Sequence, residues 1–320
     1  MKKVNYILSF LCFLMLVLSV NTQYSCKNGA KEKRISISGA FALYPMAIKW
    51  AEEYKKINPD IQIDISAGGA GKGMADALSQ MVDLGMISRN ISKEETAKGA
   101  WPIAVVKDAV VATMNSANPV SNTIKTRGIK KEEFIALFIN ETITKWSFFT
   151  KEKNDHKINI YSRSDACGAA EIWAKYLDKR QENIAGIGVF GDPGMADAVK
   201  RDEFGLGYNN INYAYDNNTR KPHEQLTVIP IDINGNGQID TEESFYNNIT
   251  DLTYAIKHNI YPSPPARELY FVSGNQPKNP EIIKFLKWIL SDGQKFVKET
   301  GYVELSSGQI KNELAKLNDN

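Results

Sequence analysis

Three runs of small residues stand where a strand should pass into a helix: Ser38-Gly-Ala-Phe-Ala-Leu-Tyr-Pro45, Gly68-Gly-Ala-Gly-Lys-Gly73 and Arg163-Ser-Asp-Ala-Cys-Gly-Ala169. The first N–H groups of a helix have no internal partner, and with the positive end of the helix dipole they bind anions. One such turn is usually a glycine needed for chain reversal. The second run is not a nucleotide loop, since Gly73-Met74 stands where that motif requires Lys followed by Ser or Thr. Cys167 sits at a helix start, where a thiol can lose its proton more easily, but no histidine is near it in sequence. Catalysis is therefore not expected.

A second constellation is Asp232-Ile-Asn-Gly-Asn-Gly-Gln-Ile-Asp-Thr-Glu-Glu243. Asp232, Asn234, Asn236, the Gln238 carbonyl, Asp240 and Glu243 fall at positions 1, 3, 5, 7, 9 and 12 of the twelve-residue calcium loop. Gly237 supplies the bend, and Ile239 is the apolar residue at position 8. The preceding Leu226-Thr-Val-Ile-Pro230 reads as strand, not helix. A single structural calcium ion is expected rather than a paired sensor; the plainer alternative is an Asn- and Gly-rich surface turn. Cys12, Cys26 and Cys167 form no CxxC pair, and His156, His223 and His258 are far apart, so zinc or thiol-redox chemistry has little support.

Positioning these turns takes alternating strands and helices. Arg34 to Ser38 alternates with period two, and Met46, Trp50, Tyr54 and Ile57 recur at helical spacing between Pro45 and the Asn58-Pro59 stop. Ile61 to Ile65 is a second strand, Met74, Ala77, Leu78 and Met81 mark a second helix, and Asp83 to Ser88 is a third strand. That order is α/β with parallel pairing. The long apolar segment Ile103 to Met114 leads to the turn-rich Asn115-Ser-Ala-Asn-Pro119, which places a domain crossing there. Helix Glu132–Phe138, strand Ile158–Tyr161 and helix Ala169–Leu177 repeat the plan, while strand Glu268–Val272 and helix Pro280–Leu290 should return to the first lobe. The expected division is lobe 1 over 34–114, lobe 2 over 115–222 and a returning part over 223–320 that includes the calcium loop 232–243.

The chain has 320 residues, 43% apolar and 24% charged, enough for one large or two moderate domains. Its net charge of +2 gives no ground for a nucleic-acid partner, so any electrostatic function is local. Lys2 and Lys3 precede an apolar run from Tyr6 to Val20, a secretory signal over residues 1–25 too short to span a bilayer stably. Cys26 behind Ser25 resembles a lipoprotein cleavage site, although Gln23 and Tyr24 depart from it; ordinary secretion is the alternative. Residues 26–33 then read as a polar tether, and the mature chain would be exported, held to the membrane by an N-terminal lipid, and monomeric.

With Arg163 and Asp83, the three turns resemble the phosphate-binding component of bacterial ABC importers, a two-lobed substrate-binding protein of the periplasmic type. Further matching segments are Val82-Asp-Leu-Gly-Met-Ile-Ser-Arg89, Ile143-Thr-Lys-Trp146, Gly191-Asp-Pro-Gly194 and Gly205-Leu-Gly-Tyr208, in order over nearly the whole mature chain. The resemblance implies an α/β fold of two lobes, each a mixed sheet flanked by helices, joined by hinge strands. It further implies that the lobes close on a dehydrated oxyanion and deliver it to a membrane permease.

Carried over by position, the oxyanion would meet Ala40, Phe41, Ala42, Ala70, Gly71, Lys72, Asp83, Ser88, Arg163, Cys167, Gly168 and Ala169. Arg163 matches the family's anion-pairing arginine, whose planar fork suits two oxygens. Asp83 matches its carboxylate, which accepts the proton of hydrogen phosphate and repels sulfate. The plainer alternatives are a surface Arg163 capping its own Asp165, and Asp83 as a turn carboxylate at a strand start. Where the family places hydroxyls this chain has Ala40-Phe41, Ala70, Cys167 and Ala169. Four lost hydrogen bonds to an anion, at about 1.5–3 kcal/mol each, would rival the roughly 8 kcal/mol of a micromolar complex. Lys72, Ser38, Ser88, Ser162 and Ser164 are the residues placed to compensate. Two readings follow: a phosphate binder relying on backbone N–H groups, Arg163 and Lys72, or an anchored sensor or interaction protein of the same fold that takes another oxyanion or an organophosphate.

Overall fold

The computed structural model describes residues 33–151 and 156–318; the expected export segment, Cys26 and nearly all of the expected tether lie outside the described residues. The first alternating segment forms β1 (Lys33–Gly39), which pairs in parallel with β2 (Ile61–Ala67) and β3 (Leu84–Ile87). Two helices make the crossovers, α1 (Tyr44–Ile57) and α2 (Ala70–Leu78). Pro45 lies in the first turn of α1, where its missing N–H costs nothing, and Met46, Trp50 and Tyr54 fill the buried face. α2 stops at Leu78, so Met81, read as part of its apolar stripe, is 75% exposed in the turn beyond. The short α3 (Lys93–Ala97) starts at a Ser92–Glu95 capping box and leads into β4 (Trp101–Asn115).

In the second lobe α4 (Ser121–Arg127), α5 (Lys131–Phe138), β5 (Asn159–Arg163), α6 (Gly168–Tyr176), β6 (Ile187–Val189), α7 (Gly191–Arg201), β7 (Gly205–Asn210), α8 (Ile211–Ala214), β8 (Leu226–Val228) and α9 (Ile249–Lys257) follow in order. The chain returns through β9 (Ala266–Ser273), α10 (Pro280–Ile289) and α11 (Ser307–Lys316). One curled mixed sheet, ordered β2-β1-β3-β9-β4-β7-β5-β6 with β8 also on β4, runs through both lobes.

β4 is the continuous hinge element. Its first part pairs antiparallel with β9, and its last part with β7 and β8. Two separate cores flank it, one including Trp50, Phe271 and Phe285, the other Phe138, Trp146, Trp173 and Tyr208. Val106 belongs to the first core and Ala109 to the second, and on the return Ala266 belongs to the second and Leu269 to the first. The crossings therefore differ from the expected boundaries at 114/115 and 222/223. Asn115–Pro119 marks the end of β4, not the hinge, because a strand that runs unbroken between lobes leaves no turn signal at its crossing. The loop 232–243 and α9 consequently pack with lobe 2 rather than with the returning part.

Candidate oxyanion site between the lobes

Parallel strands deliver their C-terminal ends, and the helix starts behind them, to one side of a sheet. Here that side faces the other lobe. From lobe 1 come the turn at Phe41–Leu43, the start of α2, and Ser88 after β3; from lobe 2 come the turn from Arg163 to Gly168 and the start of α7. The Gly71 N–H donates to the Ala166 carbonyl across the seam at 3.3 Å. Gly168, first residue of α6, lies so close to Ser88 that a Cβ there would overlap the Ser88 carbonyl and hydroxyl. The three turns singled out in the sequence thus converge. Tyr213 donates to the Phe41 carbonyl (3.2 Å), Phe41 meets Phe190 edge-on at 6.0 Å, and Arg89 pairs with Glu171 at 3.2 Å, so the lobes are closed on one another.

Arg163 ends β5 with its side chain fully buried. Nε and Nη2 pair with Asp165 (2.8 and 2.7 Å), and Nη1 pairs with Asp192 (2.9 Å). Burial works against the charge, but Asp192 and Asp165 outweigh it and raise the guanidinium's pKa further. The Phe41 ring lies 5.9 Å from the guanidinium carbon. Of five N–H donors three are engaged, leaving two for a guest. The capping alternative was half right: Arg163 does bind Asp165, but it is not on the surface. Asp192 was missed as a participant, because a partner 29 residues away has no local signature.

Asp83 is not in this site. It precedes β3, and β3 runs parallel to β1, so it lies at the far end of the strand from the turns. At about 3.3 Å per residue that is roughly 15 Å away. Its carboxylate accepts from the Ser36 N–H (2.7 Å) and hydroxyl (2.8 Å), fastening the start of β3 to β1 as the strand-start alternative supposed. What β3 delivers to the seam is Ser88, 2% exposed, whose hydroxyl bonds to no group among the described residues.

Lys72 does not compensate either. It is half exposed and ion-paired with Asp76 one helical turn on, and the Ser38 hydroxyl donates to the same carboxylate at 2.6 Å. Ser162 is within hydrogen-bond distance of the Tyr208 hydroxyl (3.2 Å), while Ser164 is exposed. Ala40, Ala70 and Ala169 are each 1% exposed and bring no side-chain donor, and Ala42 accepts from Tyr302 through its carbonyl at 2.7 Å. Cys167 caps α6, its Sγ accepting from the Ala170 N–H at 3.3 Å. Burial pushes its thiol up to about 12 against the pull of Arg163, so it carries no thiolate. The Ala40, Gly69 and Gly71 N–H groups are taken by the Met86, Gly39 and Ala166 carbonyls, so the donors left for a guest are the remaining N–H groups of the turns, two N–H bonds of Arg163 and the Ser88 hydroxyl. A groove of about 760 Å³ between α1 and edge strand β2 touches none of these turns.

In the loop 232–243, Asp232 and Glu243 are 3% and 5% exposed, and neither they nor Asp240 pairs with a basic side chain among the described residues. Asp232 accepts from the Gly235 and Gly237 N–H groups (2.7 and 2.8 Å), Glu243 from those of Ile233 and Asn234 (2.8 and 3.0 Å). Asp240 accepts from the Asn234, Asn236 and Gln238 side-chain amides, and the Ile239 N–H donates to the Thr126 carbonyl (2.8 Å). Among the described residues no three acidic, His or Cys side chains close to metal-binding distance. The donor set is all oxygen and suits calcium in kind.

Two lobes on a shared hinge strand, with helix starts meeting over a buried guanidinium, define a substrate-binding architecture, and the chain belongs to the PBP superfamily, whose domain matches residues 27–293. The resemblance read from the motifs is borne out by its relatives. Phosphate-binding protein PstS of Borreliella burgdorferi is 24% identical over 303 residues, covering 92% of this chain and 98% of that one. PstS of Methanocaldococcus jannaschii is 24% identical over 350 residues, covering 92% and 90%. Among solved structures, a Clostridium perfringens protein with bound phosphate superposes with a TM-score of 0.70 at 19% identity, covering 86% of this chain and 100% of that one. An ABC-type phosphate transport receptor from Vibrio cholerae gives 0.60 at 18%, covering 85% and 100%.

Proposed function

We propose that this chain captures phosphate, or a closely related oxyanion, between its lobes and delivers it to the permease of an ABC importer. The observation that carries this is the meeting of helix starts from both lobes at the Arg163 guanidinium, in a chain whose full-length relatives are phosphate-binding proteins. Unpaired main-chain N–H groups of the turns face the anion, the Arg163 guanidinium adds two charged side-chain N–H donors, and Ser88 adds one hydroxyl. The guest enters beside a guanidinium flanked by Asp165 and Asp192, a cluster with a formal charge of −1. A protonated oxyanion can donate to these carboxylates, whereas sulfate cannot. Titration calorimetry with phosphate, arsenate, sulfate and small organophosphates at fixed salt tests this; micromolar phosphate binding without sulfate binding is expected, and no phosphate heat would overturn it.

One observation favours a second reading. Both flanking carboxylates already hold Arg163, and Ala40, Ala70, Cys167 and Ala169 offer no hydroxyl. An anchored protein of this fold that binds a different oxyanion or an organophosphate, with no part in phosphate transport, would show binding only in the corresponding titrations.

The role includes export, a lipid on Cys26 and action as a monomer without catalysis. Mass spectrometry of the membrane-extracted protein, finding an acylated Cys26 at the mature N-terminus, checks the anchor. Asp232, Asn234, Asn236, Gln238, Asp240 and Glu243 would hold one calcium ion, which offsets two buried carboxylates that have no basic partner and stiffens the loop against α4. A calcium-dependent rise in melting temperature, reversed by chelator and absent in Glu243→Gln, is expected; a melt indifferent to chelator would remove the ion from the account.

A further inference from the structure

Arg267 stands on β9 at the crossing between the cores, beside Asp108 at the crossing on β4. Its Nε and Nη2 pair with Asp108 (2.9 and 3.3 Å), Nη1 donates to the Gly168 carbonyl (2.6 Å), and Nη2 also donates to Asn210 Oδ1. Asn210, the last residue of β7, donates through Nδ2 to Asp192 Oδ1 at 2.5 Å, and Asp192 Oδ2 receives Arg163 Nη1. Asp108, Arg267, Asn210, Asp192 and Arg163 are all at most 6% exposed. A buried polar chain therefore runs without a gap from the hinge strands to the Arg163 guanidinium.

We propose that Arg267 is a positioning residue for the oxyanion site, setting Arg163 through Asn210 and Asp192 and the start of α6 through the Gly168 carbonyl, so that the donors are in register when β4 and β9 hold this hinge setting. This rests on the oxyanion-capturing reading above. The geometry asks for more than a charge at position 267. One guanidinium serves Asp108, Asn210 and Gly168 in three directions from a rigid plane, which a lysine ammonium at the end of a flexible stem does not reproduce. Gly168 is also where Ser88 of lobe 1 presses on lobe 2, so hinge, seam and anion turn meet at one residue. A buried pair serving stability alone is often replaceable by apolar packing; one that branches to two other elements fixes their relative placement.

The test uses the mature protein, Arg267→Lys, Asn210→Ala and the double variant. Asn210→Ala cuts the relay but leaves the Arg267–Asp108 and Arg163–Asp192 pairs intact, so it decides the matter alone should Arg267→Lys fail to fold. Two quantities are measured: affinity for inorganic phosphate, and amide exchange in the ligand-free protein over 163–169 against 68–73. Each single variant should weaken phosphate binding at least tenfold, the double no more than about twofold beyond the weaker single. Exchange over 163–169 should rise at least tenfold while 68–73 stays unchanged. Affinity within twofold of wild type in a folded variant, additive losses in the double, or unchanged exchange at 163–169 would overturn the relay. Absence of phosphate binding by the wild type would sink the oxyanion reading alone, and the exchange comparison would still decide the role of Arg267.

Discussion

The two lobes contribute to the seam in different currencies. Lobe 1 brings neutral groups: the main-chain dipoles of the turn at Phe41–Leu43 and of the start of α2, and the Ser88 hydroxyl. Lobe 2 brings the buried charge, Arg163 with Asp165 and Asp192. On the proposed function lobe 2 is a preorganised half-site, its guanidinium locked by two carboxylates, and lobe 1 is a cover of dipoles. An anion should engage lobe 2 first, and closing of lobe 1 should set how long it stays.

The most damaging change to this division is Arg163→Ala. It removes the charged donor and leaves Asp165 and Asp192 without their cation, so phosphate binding should vanish in calorimetry and stability should fall by about 3–5 kcal/mol in urea melts. Unchanged affinity would remove Arg163 from the site. Gly168→Ala attacks the cover instead. Its new Cβ overlaps the Ser88 backbone only while the lobes are closed, so affinity should drop at least tenfold through faster release in stopped-flow measurements, with the melting temperature nearly unchanged. A matching loss in association rate would contradict the order of engagement. A gentler probe restores a hydroxyl. Cys167→Ser keeps the α6 cap with a better capping residue and adds an O–H donor beside Arg163, so phosphate affinity should rise several-fold with a small gain in stability. The smallest effect concerns the native thiol: pushed up to about 12, Cys167 should stay unlabelled by an alkylating reagent at pH 8 until the protein is denatured.

What could be read from the chain follows the range of each signal. Glycine and alanine runs before helices are local, and the turns at 39–45, 68–73 and 163–169 were found and do converge. The hinge was misplaced because β4 crosses between cores as unbroken strand, and the nearest turn signal comes only at its end. Asp83 enters the site only by its match to the family's carboxylate, and the parallel pairing of β3 with β1 tells which end of that strand meets the other lobe. Lys72 lay in the right turn, but Asp76 on the next turn of α2 claims its ammonium. The Arg163–Asp192 and Arg267–Asp108 pairs join residues 29 and 159 apart, a separation at which spacing says nothing. The oxygen pattern at 232–243, by contrast, is contiguous, and the loop's docking against Thr126 is the part that only the fold supplies.

If this chain captures phosphate as proposed, main-chain dipoles, one guanidinium and the Ser88 hydroxyl hold an oxyanion where other side-chain hydroxyls are scarce. Calorimetric titration of the protein with phosphate, alongside Arg163→Ala, is the direct test. One saturable site near micromolar affinity is expected in the first and none in the second. Equal heats from both proteins, or no heat from the first, would contradict it.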